Sequence, residues 1–380
     1  MEIQAMDVPV ECAPPATRER LMSLDALRGF DMFWIIGGWG IVAGLGKGLG
    51  SPWFDRYVMP QIEHVPWEGF VAWDLIMPLF LFVVGAAMPF SFARRLEAGG
   101  SKTRLYLHIL YRVAVLWVLG MIAQGHLLAY DLSKLQLYSN TLQAIAAGYL
   151  IASVLLLNLQ WRWQLVATGG LLLLYWGLLA LVPVPGHVGG HFSEQGNLAL
   201  YLDRLILGRF QDGTNPPYTW ILSSMTFGAS VMMGAFAGQL LRSNRSAVSK
   251  VLLLLGCGVA CVLAGWAWGQ SFPIIKHLWT SSMVLFAAGW SFLLLALFYL
   301  VIDVLHLRFL AFFFVVIGMN AIAVYMATHV FDFRHLGDIF VGSTARWTGN
   351  WHDFVRATAA FAIIWLILFY LYRKKTFVKI

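Results

Sequence analysis

An all-α bundle of membrane-spanning helices is what this 380-residue sequence points to, on three grounds. Hydrophobic residues make up 59% and charged residues 12%, against about 45–50% and about 25% in soluble domains. Mean hydropathy is +0.71, which leaves more apolar surface than a soluble core absorbs. The apolar residues also gather into runs of about 20, the length that crosses the hydrocarbon layer. The runs are continuous rather than alternating, so the spans are helices and not barrel strands. Disorder, fibres and a disulfide scaffold are excluded on the same figures. The 17 Trp, 13 Tyr and 27 Phe suit a chain with many membrane–water interfaces, where amphipathic rings collect.

Ten spans are predicted, at 27–46, 70–92, 106–128, 140–158, 162–182, 219–241, 249–269, 278–302, 308–331 and 355–372. The range is nine to eleven, because the ninth run has room to extend toward Phe333 and 332–354 has room for a short re-entrant piece. Alternate connections carry the positive charge. Arg18 and Arg20 precede the first span, and Arg94, Arg95, Lys102 and Arg104 follow the second. Arg162 follows the fourth, and Arg242, Arg245 and Lys250 follow the sixth. Arg308 follows the eighth, and Arg373, Lys374, Lys375 and Lys379 follow the tenth. The remaining connections mix signs, as in Lys47, Asp55, Arg56 and Glu63. The positive-inside rule therefore puts both termini in the cytoplasm. The net charge of +7 is thus a topology signal, and no nucleic-acid partner is implied. The reading divides the chain into a cytoplasmic tail (1–20), a membrane domain (21–372) with outward loops 47–69 and 183–218, and a basic cytoplasmic tail (373–380). The first 20 residues hold four acidic residues and no apolar core, unlike a cleaved signal peptide.

Cys257 and Cys261 lie one helical turn apart in an apolar run and are expected as buried small side chains. With Cys12 they form no metal-ligand spacing and no disulfide framework. No nucleophile elbow, P-loop, dinucleotide glycine pattern or zinc-protease motif is present.

Charged groups at membrane depth face the bundle interior and are candidates for function. They fall in two layers. Near the cytoplasm, Asp25, Arg28 and Asp31 share one helix face, so Arg28 can pair with either carboxylate. Arg112 lies about two turns into the third span. This layer reads either as a structural ion pair with topology signals or as a phosphate site, since guanidinium groups bind phosphate in a fork. The outer layer holds Glu63 and His64 before the second span and Asp74 within it. A continuous helix would separate His64 from Asp74 by roughly 15 Å, and Pro66 makes the gap shorter. Asn140 and Gln143 share a face of the fourth span. Lys276, His277, Thr280, Ser281 and Ser282 cluster at the eighth, and Asn320, Tyr325 and His329 lie on the ninth.

The runs SLDALRGFDMFWIIGG (23–38), EHVPWEGFVAWDLIMPLFLFVVG (63–85), FPIIKHLWTSS (272–282) and GMNAIAVY (318–325) carry a resemblance. In order and spacing they resemble the membrane acetyltransferases related to heparan-α-glucosaminide N-acetyltransferase, within them the bacterial group containing the domain of unknown function 5009, of the transmembrane acyltransferase superfamily. The resemblance covers about residues 20 to 330. It implies an enzyme of the bacterial inner membrane that takes an acetyl group from cytoplasmic acetyl-CoA, its co-substrate, and passes it to the amine of a glucosamine on the far side. It puts the family's catalytic histidine on His64, its motif aspartates and arginine on Asp25, Arg28 and Asp74, and its fourth-span polar residues on Asn140 and Gln143. The chain departs from relatives at Ala144, where they commonly carry arginine.

On that reading His64, Asp74, Asn140 and Gln143 are catalytic. Asp25, Arg28 and Arg112 hold acetyl-CoA, and Glu63, Trp67, Lys276 and Asn320 bind the amino sugar. No metal is expected. His64 serves either as a general base oriented by Asp74 or Glu63 or as the acetylated group of a two-step route, and Asn140 or Gln143 as an oxyanion donor. The membrane lipid is the other expected partner, and a homodimer is left open. A transporter of a small polar or sugar solute, or an acyltransferase for another envelope glycan, are the rival readings. No internal repeat of the transporter kind is visible.

Overall fold

The structure, a computed structural model, describes residues 21–187 and 189–378. The tail before residue 21, with Cys12, Arg18 and Arg20, lies outside the described residues, as do Val188, Lys379 and Ile380. The described chain is all-helical. Among the described residues the only extended pairings are two isolated bridges, Glu68 with Ile275 and Val184 with His187.

The first span is α1 (Met22–Phe33) and α2 (Trp39–Leu49), joined by a π-helical turn at Trp34–Gly38. The first long loop then forms α3 (Pro52–Tyr57), with Pro52 in its first turn. The next spans are α4 (Ile76–Glu97), α5 (Lys102–Ala123), α6 (Thr141–Asn158) and α7 (Trp161–Leu181). The second long loop carries α8 (Leu198–Leu207), amphipathic and capped by Asn197. There follow α9 (Ser224–Arg242), α10 (Ala247–Gly269), α11 (Ser281–Phe298), α12 (Arg308–Gly318), α13 (Ala321–Val330), α14 (Phe333–Ala345) and α15 (His352–Arg373).

Eight helical stretches among the described residues are long and apolar enough to cross a membrane, and the pair α12–α13, bent by 52°, makes nine. The Ser- and Gly-rich α9 is buried against α4, α6 and α7, which accounts for the tenth. The bundle is held by the pairs α4–α9, α1–α12, α10–α11 and α14–α15. Small residues let these backbones meet. A Cβ on Gly29 would collide with the Phe314 carbonyl, and one on Gly318 with the Asp25 carbonyl.

Several boundaries move by about five residues, among them the start of the first span and both ends of the second, and the following bear on the architecture. The third span ends at Ala123 rather than 128, because His126 takes a left-handed turn at φ 55°. The ninth stops at Val330 and breaks at Met319–Asn320. Residues 332–354 hold α14, folded back on α15. The cysteines also differ. Cys257 is exposed on the flank of α10, and Cys261 is half-buried, packed against the cluster of Val251, Leu254 and Leu295.

Candidate active site

The segment 63–71 is what assembles the site. Pro66 removes a helical N–H, and Glu63 and Val71 are extended. Gly69 has φ +124°, which only glycine adopts without strain. Its N–H donates to the Ile274 carbonyl at 2.9 Å, and Glu68 bridges Ile275. The chain thus turns back on itself. It sets His64 over the start of α4 and joins the connection between α10 and α11, which brings Lys276.

His64 Nδ1 lies 2.7 Å from Asp74 Oδ1. The same carboxylate oxygen lies 3.4 Å from Lys276 Nζ, which is 3.2 Å from Nδ1. A contact of 2.7 Å between nitrogen and carboxylate needs a proton between them, so Nδ1–H donates to Asp74. Nδ1 then has no lone pair for the ammonium, whose bond goes to the carboxylate. Asp74 Oδ2 accepts the Val71 N–H at 3.2 Å. Asp74 and Lys276 side chains are 1% and 5% exposed, whereas that of His64 is 43% exposed. The result is an imidazole fixed from behind, with Nε2 left toward the mouth. Burial pushes the Lys276 ammonium down to about 8 against the pull of Asp74.

Beside it, His277 packs face to face on Trp67 at 5.5 Å and meets the Tyr218 ring at 4.2 Å. Burial, then the charge of Lys276, pushes the His277 imidazole down to about 4, and its buried Nδ1 has no hydrogen-bond partner. Trp67 also donates Nε1–H to the Phe192 carbonyl at 2.9 Å, tying the second long loop, 183–218, to this wall. That loop is built rather than slack. Asp203 of α8 accepts the N–H groups of Trp220 (2.7 Å) and Ile221 (2.9 Å).

Other sequence-predicted residues lie elsewhere. Glu63 is exposed at the mouth. Asn140 caps α6 with Gln143 in a capping box, and its amide donates to Gln124 (2.6 Å) and Tyr325 (2.9 Å). The Gln143 amide donates to the Leu137 carbonyl at 2.7 Å. Asn320 sits at the α12–α13 break, bonded to Thr376 and Val378 beyond the end of α15. Arg28 pairs with Asp25 at 3.4 Å, while both Asp31 oxygens are buried without a hydrogen bond. Arg112 stands over the Tyr149 ring at 4.6 Å. The structure therefore joins His64, Asp74 and Lys276, lays Trp67 beside them through His277, and keeps the other sets apart. Tyr218 escaped the sequence reading, and His277 had no role in it; the signal for His277 was the stretch FPIIKH, where a lysine and a histidine follow Pro273.

No protein-family model matches the chain. Two curated relatives are similar to it along nearly its whole length. "Heparan-alpha-glucosaminide N-acetyltransferase" of Homo sapiens is 26% identical over 424 aligned positions, covering 95% of this chain and 60% of the relative. The protein of the same name from Mus musculus is 24% identical over 430 positions, covering 96% and 62%. The chain thus spans about three-fifths of the length of these relatives. Over 95% of its own length, the chain is related in sequence to heparan-alpha-glucosaminide N-acetyltransferase.

Proposed function

We propose that the chain is an acyltransferase that moves an acetyl group from cytoplasmic acetyl-CoA to the amine of glucosamine, or of a glucosamine-terminated sugar, on the outer side of a bacterial inner membrane. The observation that carries this is an exposed imidazole whose Nδ1–H is held by a buried aspartate, itself held by a buried lysine. The printed name of both relatives, an N-acetyltransferase of a glucosaminide, supports the same chemistry.

The amine nitrogen attacks the thioester carbonyl carbon. His64 Nε2, in its neutral form, takes the amine proton as the N–C bond forms. The C–S bond breaks, CoA leaves as thiolate, and the proton returns to that sulfur. Asp74 balances the positive charge that grows on the ring, as the aspartate of a catalytic triad does. The nucleotide end of CoA lies toward Asp25, Arg28 and Arg112. Trp67 and Glu63 form the acceptor side of the mouth. Donation to the oxyanion by Asn140 or Gln143 requires exchange of the bonds their amides hold now.

The test is purified protein with acetyl-CoA and glucosamine, following free CoA and N-acetylglucosamine together. His64→Ala should abolish both products while the protein still inserts, because a half-exposed imidazole packs little. Near-normal turnover in that variant would remove His64 from the chemistry. Uptake of glucosamine by vesicles without release of CoA would replace the enzyme with a transporter.

A further inference from the structure

The acetyl-transfer chemistry gives His277 no task, yet packing alone does not account for an imidazole at that position. The side chain fills the gap between Trp67, face to face at 5.5 Å, and the Tyr218 ring at 4.2 Å. A phenyl ring would fill the same gap and bury no polar atom. His277 is instead 6% exposed, with its Nδ1 buried and without a hydrogen-bond partner. A buried polar orphan in a folded protein calls for a reason.

That orphan decides where the ring carries its proton. Burial and the ammonium of Lys276 keep the imidazole uncharged at neutral pH, and an uncharged imidazole has one N–H. On Nδ1 the proton would make a buried donor without an acceptor, the rarer kind of orphan. Nε2 is engaged by no protein group and is not sealed from the surface, so a proton there can meet water or a ligand. His277 therefore presents a donor.

His64 presents the opposite. Its Nδ1–H goes to Asp74, so its Nε2 offers a lone pair. The two rings belong to one wall. Lys276 Nζ lies 3.2 Å from His64 Nδ1, and the next residue, His277, stacks on Trp67. The Gly69–Ile274 hydrogen bond and the Glu68–Ile275 bridge hold the two segments in that register. Lys276, His64 and Asp74 all act electrostatically on the His277 ring. Trp67 also lines a surface cavity of about 520 Å³, with Glu68, Phe192 and Glu194, a volume in the range of small-molecule sites.

A lone pair beside an N–H matches a ligand that carries a proton donor beside an acceptor. An amine next to a hydroxyl has that pattern, whereas a simple amine answers His64 alone. In glucosamine the carbons on both sides of the amine bear oxygen. When the sugar ends a chain, C1 carries the glycosidic bond and the C3 hydroxyl stays free. We infer that His277 is a specificity-determining residue, its Nε2–H donating to the C3 hydroxyl of the acceptor while His64 Nε2 receives from the neighbouring amine. The identity of the acceptor rests on the acetyltransferase reading.

The test uses methyl glucosaminide and its 3-deoxy analogue, which share the amine and differ in that one hydroxyl. Their Kd values are measured by saturation-transfer NMR on the detergent-purified full chain without acetyl-CoA. The wild type should bind the 3-deoxy sugar about three- to tenfold more weakly, the worth of one neutral hydrogen bond. His277→Phe keeps the ring stack and deletes the donor, and in it the two sugars should bind alike. His277→Gln keeps a donor and should restore the preference. Equal binding of both sugars by the wild type would overturn the inference even if His277→Phe does not fold. Equal weakening of both sugars in His277→Phe would reduce His277 to packing and overturn it too. Free CoA separates this inference from the reaction. A wild type that shows the preference but releases no CoA with acetyl-CoA would overturn acetyl transfer and leave the sugar contact. Turnover without the preference would do the reverse, and binding of neither sugar would overturn both.

Discussion

Asp74 serves two donors with one oxygen, His64 at 2.7 Å and Lys276 at 3.4 Å, and substitutions there should have separable effects. Asp74→Asn removes the charge that answers the imidazolium, and kcat should fall about 10³–10⁴-fold by analogy with a triad aspartate. It also strands the buried ammonium of Lys276, at a cost of about 3–5 kcal/mol. The double variant Asp74→Asn, Lys276→Met should regain thermal stability without regaining turnover. Recovery of turnover would show that the pair matters only for folding. Lys276 gives a pH signature too. Its folded value of about 8 lies below the unfolded value of about 10.4. Between those values the unfolded chain binds more protons, so stability should rise with pH there, and the cost of burying the charge is fully present below about 8. The Tm of the wild type should therefore gain on that of Lys276→Met as pH is raised from 8 to 10; parallel curves would contradict this. At this scale the sequence offered Asp74 or Glu63 as the partner of His64, and the structure has Asp74; it did not show Lys276 as the third member. His64 and Lys276 are 212 positions apart, and nothing in either local run names the other.

Elements were legible where they are apolar throughout and hidden where they are not. The spans emerge within a few residues because twenty apolar residues leave a helix few alternatives in lipid. The helix α8 lies in a stretch mixed enough to read as a loop, α14 falls in the stretch 332–354 where the sequence leaves room for a short re-entrant piece, and the break at Met319–Asn320 has no proline to announce it. The turn at 63–71 was half legible, since Pro66 forbids a continuous helix but does not say where the chain goes. Gly69 decides that. Gly69→Ala puts a Cβ on a backbone at φ +124° and within 3.5 Å of Val65 Cγ1. It should cost about 1–3 kcal/mol and lower kcat by displacing His64 from Asp74. Unchanged turnover would show that the turn tolerates a second shape. Asp203→Ala tests the other loop, because it unpairs the Trp220 and Ile221 N–H groups. Each such group costs about 1–3 kcal/mol, so a Tm lowered by several degrees is expected, with His64 chemistry retained in the surviving protein.

For the molecule as a whole the sharpest expectation is sidedness. A cysteine at Ser193, in a background without the three native cysteines, should react with an impermeant thiol reagent from the outer face of sealed vesicles only. One at Ser101 should react from the cytoplasmic face only. Labelling of both from one face would break the ten-span arrangement. The same vesicles should acetylate external glucosamine when acetyl-CoA is enclosed. The alternation of basic loops is the ground for this expectation, whereas the separation of Asn140, Gln143 and Asn320 from His64 depends on how helices cross, which no single run encodes. The order of synthesis gives the Lys276–Asp74 contact a further consequence. Asp74 enters the bilayer with the second span, and its ammonium partner leaves the ribosome only after seven spans have been made. Until then the carboxylate has an imidazole for its neighbour at a depth where unbalanced charge costs at least a few kcal/mol. In the folded chain residues 274–276 relieve that cost and also hold the Gly69–Ile274 hydrogen bond. The contact that orients the imidazole therefore also ties the second half of the chain to the first, so a chain interrupted before α11 should leave Asp74 without its ammonium and should lose thermal stability.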